Sequence, residues 1–90
     1  MSRAAGEEFQ RFVQRRARLN KQLDDARDRI DVWIAQHETG DASSTQLAYL
    51  EGLLEVRRDL LRDLLELDDS FMGYLLGLLG RDVPGPAGGA

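Results

Sequence analysis

The 90-residue chain has no cysteine, and its only prolines are Pro84 and Pro86. Without cysteine, neither a disulfide framework nor a thiolate metal site can support the thin core of so short a chain. Long, well-packed helices or oligomerisation must supply that support instead. Because no proline lies before position 84, long helices are sterically allowed over most of the sequence.

The sequence also lacks long apolar runs. No stretch approaches the roughly 20 apolar residues that span a bilayer, and the opening residues, MSRAAGEEFQ, do not resemble a secretory signal. We therefore expect a cytoplasmic protein. The net charge of −4 argues against general binding to nucleic acid or anionic membranes, although six basic residues between positions 1 and 21 leave a local contact open.

What the chain does contain is a periodic apolar pattern that is typical of two helices joined by a turn. The first stripe, at alternating steps of three and four, consists of Phe9, Arg16, Leu23, Ile30 and His37 together with Phe12, Leu19, Ala26 and Trp33. It predicts a first helix over about 7–38. In the turn at 39–43, Gly40 suits the left-handed position after a helix, and Ser43 with Gln46 fits a capping box.

The second helix is predicted over about 44–80, followed by a flexible tail at 81–90. Its main apolar series is expected to be Leu47, Leu50, Leu54, Arg57, Leu61, Leu64, Asp68, Phe71, Leu75 and Leu78. This series is widened by Leu53, Leu60, Leu67 and Tyr74 on one side and by Leu65, Met72 and Leu79 on the other. Because the connection is short, the helices should pack antiparallel. The predicted fold is thus all-α, a coiled-coil-like two-helix hairpin over domain 1–80.

Folding the chain at the turn predicts a register, in which residue i of the first helix lies near residue 83 or 84 minus i of the second. The expected neighbours are Phe9 and Leu75, Leu23 and Leu61, Ile30 and Leu54, and Trp33 and Leu50. The same register pairs Arg16 with Asp68, the charged interruptions of the two stripes. We hypothesise that this register pair is semi-buried and fixes the alignment more than it adds stability.

Residues 71–80, FMGYLLGLLG, carry no charge and more apolar surface than one partner helix can cover. Gly73 and Gly77 lie four residues apart, a spacing that lets another backbone approach closely, unless Gly73 ends the second helix. We expect a self-association or partner interface made of Phe9, Phe12, Leu64, Phe71, Met72, Gly73, Tyr74, Leu75, Gly77 and Leu78. Two hairpins would then dimerise into a four-helix bundle.

Residues that carry chemistry are few, and we predict no catalytic site, cofactor or metal site. His37 is the only histidine, and because no nucleophile accompanies it we expect a structural role. Trp33 is in phase with the core stripe and should anchor it. An acidic ladder interleaved with arginines is typical of a solvated helix face, and its members are Glu51, Glu55, Asp59 and Asp63.

These features favour a non-enzymatic, self-associating helical module for assembly or for adaptor function, acting as a homodimer or higher homo-oligomer. One alternative is a small acidic inhibitor or chaperone that binds another protein through the apolar end of the second helix. A second alternative is an oligomeric binder of a small anionic ligand through Arg11, Arg15 and Arg18 of the first helix. Nucleic acid is disfavoured because the basic segment 11–21 faces the acidic segment 62–72, and a membrane partner is disfavoured by the same acidic residues.

Overall fold

In a computed structural model, which describes residues 3–80, the chain forms two long helices: α1, Arg3–Gln36, and α2, Ser44–Leu79. They pack against each other as a hairpin, and this part of the chain contains no strand. The prediction of an all-α two-helix hairpin is confirmed. Helix α1 begins four residues earlier than expected, where Ala4 and Ala5 favour helix, and the predicted tail 81–90 lies outside the described residues.

The turn uses the two local signals that the sequence predicted. Gly40 has a φ of +86°, and its N–H donates to the carbonyl of His37 at 3.0 Å. Ser43 forms the capping box: its hydroxyl accepts from the Gln46 N–H at 3.2 Å, while its own N–H donates to Gln46 Oε1 at 2.8 Å. These reciprocal bonds satisfy backbone donors that the first turn of α2 would otherwise leave without partners.

Trp33 links the end of α1 to the beginning of α2, and His37, just after α1, packs against Trp33. The indole Nε1–H of Trp33 donates to the Gln46 carbonyl at 3.1 Å, and the ring stacks on His37 with centroids 4.0 Å apart. His37 Nδ1 lies 2.7 Å from the Trp33 carbonyl oxygen, which can only accept, so Nδ1 carries a proton. The imidazole therefore caps a carbonyl at the end of α1.

The contact between the helices, which we call the seam, contains the buried side chains. On α1 these are Leu19, Leu23, Ala26 and Ile30, and on α2 they are Leu53 and Leu64, with Leu60 and Leu67 packed against them. Toward the open end of the hairpin, Phe12 and Phe71 stack with centroids 4.2 Å apart. Apart from Asp59, Asp63 and Asp68, the buried and half-buried positions on α2 alternate in steps of three and four through Leu50, Leu53, Arg57, Leu60, Leu64, Leu67, Phe71 and Tyr74.

This seam corrects the apolar series that we expected to face the first helix. Leu53, Leu60, Leu67 and Tyr74, expected to widen the stripe, belong to the seam itself. Leu47, Leu54, Leu61 and Leu75, expected at its centre, stay more than a third exposed. The physical reason is Asp68, which shares their heptad position. Placing that series at the centre of the seam would bury a carboxylate, whereas the observed choice leaves Asp68 at the edge.

The register is close to the predicted one at the open end. Arg16 Nε donates to Asp68 Oδ1 at 3.0 Å, and Phe12 meets Phe71, so the paired numbers sum to 84 and 83. The Arg16 and Asp68 side chains are 46% and 40% exposed, so the pair lies at the rim of the seam. A pair with this exposure contributes roughly 0–1 kcal/mol.

Candidate interaction surface

A second line of apolar side chains remains on α2 after the seam has formed, and we call it the outer stripe. Its members are Leu47, Leu54, Leu61, Leu65, Met72, Leu75 and Leu79. They are between 37% and 66% exposed. The spacing follows a heptad pattern, so these side chains share one face over a length of about 48 Å at 1.5 Å per residue.

The outer stripe has a defined direction relative to the seam. In a heptad wheel the centre of the seam and the centre of the outer stripe are two sevenths of a turn apart, or about 103°. This angle is close to the right angle between the two neighbours of one helix in a square four-helix bundle. Helix α2 thus covers α1 with one face and presents a second face in the direction where a bundle would place another helix.

Three charged residues occupy positions of the outer stripe: Glu51 near its beginning, Arg58 and Asp68. Asp68 lies between Leu65 and Met72 and is held by Arg16 across the seam. Arg58 lies between Leu54 and Leu61, where its side chain is 74% exposed and its Nε is 3.8 Å from Asp59 Oδ1. The stripe therefore carries one positive position, Arg58, and two negative ones, Glu51 and Asp68, with Arg58 and Asp68 ten residues apart in sequence.

The residues predicted to form an interface divide between the seam and the surface. Phe12, Leu64, Phe71 and Tyr74 are buried or half-buried within the hairpin. Phe9, Met72, Leu75 and Leu78 are exposed, and Phe9 only approaches Phe71, with centroids 6.0 Å apart. Four positions nearer the turn that the prediction did not include are also exposed: Leu47, Leu54, Leu61 and Leu65. Their heptad spacing was visible in the sequence, but it becomes informative only once the seam residues are known.

Gly73 and Gly77 lie inside α2, which continues to Leu79, so Gly73 does not end the helix. A Cβ added at either glycine would meet no atom within 4 Å, so α1 makes no close approach there. In the heptad wheel both glycines lie on the side of α2 away from the outer stripe. Close packing at these glycines is therefore not part of the hairpin itself.

The opposite flank of the hairpin is grooved and carries both polar and apolar side chains. Four surface grooves lie along it, lined in turn by Tyr49, Val56, Asp63 and Ser70 of α2 and by Arg15, Gln22, Arg29 and Gln36 of α1. No member of the outer stripe lines these four grooves. The hairpin thus has one grooved flank, lined by both polar and apolar side chains, and a second flank that presents the outer stripe.

The arginines proposed as an anion site are only partly brought together. Arg11 and Arg15 line one groove of about 190 Å³ with Glu8 and Ser70, and Arg18 does not line it. Within that groove Arg11 already donates to Glu8 at 3.0 Å. Because a carboxylate occupies the same groove and repels anions, the structure adds no support to the anionic-ligand alternative.

Other classes of site receive no support from the described residues. Their histidine and carboxylate side chains do not gather in a group of three or more that could hold a metal ion. Neither α1 nor α2 contains an apolar segment of the length needed to cross a membrane. The chain matches no protein-family model, and no curated protein or solved structure is significantly similar to it.

Proposed function

We propose that the chain is a non-enzymatic, self-associating helical module whose activity is protein binding, and that two copies pair through the outer stripe. The observation that carries this proposal is an imbalance of apolar surface. Among the described side chains six apolar ones are buried, whereas fifteen large ones are at least about a third exposed. A single hairpin therefore leaves most of its large apolar side chains in contact with water, and a second copy would remove part of that contact.

The free energy gained by burying the outer stripe is comparable with the cost of association. Full burial of a leucine or methionine side chain contributes about 1.5–3 kcal/mol, and the seven outer-stripe side chains are on average half exposed. Covering them in two chains would contribute on the order of 10–20 kcal/mol. The loss of translational and rotational freedom on association costs roughly 4–15 kcal/mol. The gain is of the size needed to offset this cost.

The test compares two substitutions on opposite faces of α2. Leu65→Glu places a charge in the outer stripe, while Val56→Glu places the same charge on the grooved flank at a similarly exposed position. We expect sedimentation equilibrium to give twice 10.1 kDa for the unmodified chain and for Val56→Glu, and 10.1 kDa for Leu65→Glu. A monomeric unmodified chain at 100 μM, or equal effects of the two substitutions, would contradict the proposal.

A second candidate function is supported by the end of α2. Met72, Leu76 and Leu79 are more than half exposed there, and Leu76 lies outside both the seam and the outer stripe. An inhibitor or chaperone that binds a different protein would use this end as a helix docked in a groove. Under this alternative the pure chain is monomeric, and substitution of Leu76 by glutamate abolishes binding to its partner while Leu65→Glu weakens it less.

A further inference from the structure

We infer that the two copies meet through an antiparallel contact between their α2 helices, centred on residue 63, in which Arg58 of each chain pairs with the second copy's Asp68. This inference rests on the proposed self-association and specifies its geometry. It follows from the positions of Arg58 and Asp68 in a stripe whose other members, apart from Glu51 near one end, are apolar. In an antiparallel pair related by a two-fold axis, residues equidistant from the centre face each other.

Arg58 and Asp68 are equidistant from residue 63, since each lies five positions away from it. The two-fold axis therefore places Arg58 of each stripe opposite Asp68 of the other, so this complementary pair forms twice. The same symmetry pairs Leu61 with the second copy's Leu65, Leu54 with its Met72 and Leu47 with its Leu79. One mixed pair, Glu51 with Leu75, falls near the ends of the contact.

Two other arrangements of the same stripe leave Arg58 and Asp68 without complementary partners. A parallel pair in register would set Arg58 against the second copy's Arg58 and Asp68 against its Asp68, so both contacts would be repulsive. Shifting the antiparallel centre by half a heptad, to between residues 66 and 67, would set Arg58 against Leu75 and Asp68 against Leu65. Each charge would then lose water without gaining a partner.

The charged side chains at the rim of the contact favour the shifted arrangement, but they contribute less free energy than Arg58 and Asp68 do. In the shifted register Arg62 would lie beside the second copy's Asp69, whereas the register centred on residue 63 brings the two Arg62 side chains near each other. Arg62 is 61% exposed and already lies 3.5 Å from Asp59 of its own chain. Exposed pairs of this kind contribute little compared with charges that lose their water inside a contact.

The local chemistry of both residues allows the pair. Asp68 accepts from Arg16 through Oδ1, and a carboxylate can accept further hydrogen bonds through its two oxygens. Arg58 has five N–H donors, and its distance of 3.8 Å to Asp59 is too long for a hydrogen bond. Each end of the dimer would then contain one carboxylate between Arg16 of its own chain and the second copy's Arg58.

Because the chain has no cysteine, disulfide formation between introduced cysteines tests this geometry cleanly. We expect an equimolar mixture of Leu54→Cys and Met72→Cys chains, in a glutathione redox buffer, to form a disulfide-linked dimer of one chain of each kind. Each variant alone should remain unlinked, because its two cysteines would be about 27 Å apart along the helix axis. A disulfide needs Cα atoms within about 7 Å.

A matched mixture of Leu54→Cys with Leu79→Cys tests the register one half-heptad away and should remain unlinked. Linkage of that mixture, or of Leu54→Cys alone, in a chain whose solution mass is dimeric would overturn the geometry and leave the proposed function standing. A monomeric mass together with no linkage in any mixture would overturn both. Circular dichroism of each variant verifies that the helices are retained.

Discussion

Arg16 and Asp68 occupy a position that neither the seam nor the outer stripe encloses completely. Their ion pair spans the two helices at 3.0 Å, yet both side chains keep roughly two fifths or more of their exposure. Water therefore screens the pair, and its contribution to the stability of one hairpin is small. Its value is positional, because Asp68 excludes its own heptad series from the centre of the seam and so determines which leucines stay outside.

The positional role of this pair can be tested in the Leu65→Glu background, in which we expect the hairpin to be monomeric. Changing Arg16 and Asp68 together to leucine should leave the helices formed and the free energy of unfolding within about 1 kcal/mol, since a half-exposed pair is lost and apolar contacts replace it. Urea unfolding followed by circular dichroism measures this value. Arg16→Leu alone serves as the comparison, and loss of helicity in the double variant would show that the pair is essential to the fold.

Helix α2 combines two features of opposite effect: it is the longer helix, yet it contains three glycines before its C-terminal end. Gly52, Gly73 and Gly77 all lie in helical backbone with open space around an added Cβ. Glycine in a helix interior costs up to about 1 kcal/mol relative to alanine. Alanine at these positions would therefore make the helix more stable. No close contact within the hairpin requires glycine there.

Alanine substitution at these glycines should stabilise the hairpin. In the Leu65→Glu background, we expect Gly73→Ala and Gly77→Ala each to raise the free energy of unfolding by up to about 1 kcal/mol, as measured by urea unfolding. Gly40→Ala is the control of opposite sign, because its φ of +86° would strain an alanine by roughly 1–2 kcal/mol. Destabilisation by Gly73→Ala would mean that the glycine faces a contact within the hairpin.

The two helices also show how far sequence reasoning reaches. Local signals sufficed for the turn, because Gly40 and the Ser43 capping box depend only on neighbouring residues. Which side of α2 faces α1 could not be read in the same way. The helix has apolar residues at more heptad positions than one partner can cover, so the choice depends on the competition between burying leucines and leaving Asp68 near water. The exposed positions of the outer stripe are what remains after that competition.

At the scale of the whole molecule, the hairpin is two-sided. One flank is grooved and lined by Arg15, Gln22, Arg29 and Gln36, while the other presents the outer stripe. This asymmetry agrees with a protein that uses one flank for a contact with a second copy and keeps the other in water. In the contact that we propose, the leucines would supply affinity, and Arg58 and Asp68 would select one alignment, as polar residues in coiled-coil interfaces do.

The alignment can be tested in solution by reversing the charge of one arginine at a time. With the centre at residue 63, Arg58→Glu faces the second copy's Asp68, and we expect the dimer dissociation constant to rise at least about tenfold, equivalent to about 1.4 kcal/mol. Arg62→Glu makes the same change of charge four residues further on, at the rim, and should change the constant less than about threefold. Sedimentation equilibrium at low salt measures both dissociation constants. Added salt should reduce the difference between them, because it screens the charges. The shifted register requires the reverse order, because there Arg62 would adjoin Asp69 and Arg58 would face a leucine, so a larger effect of Arg62→Glu would reject the alignment.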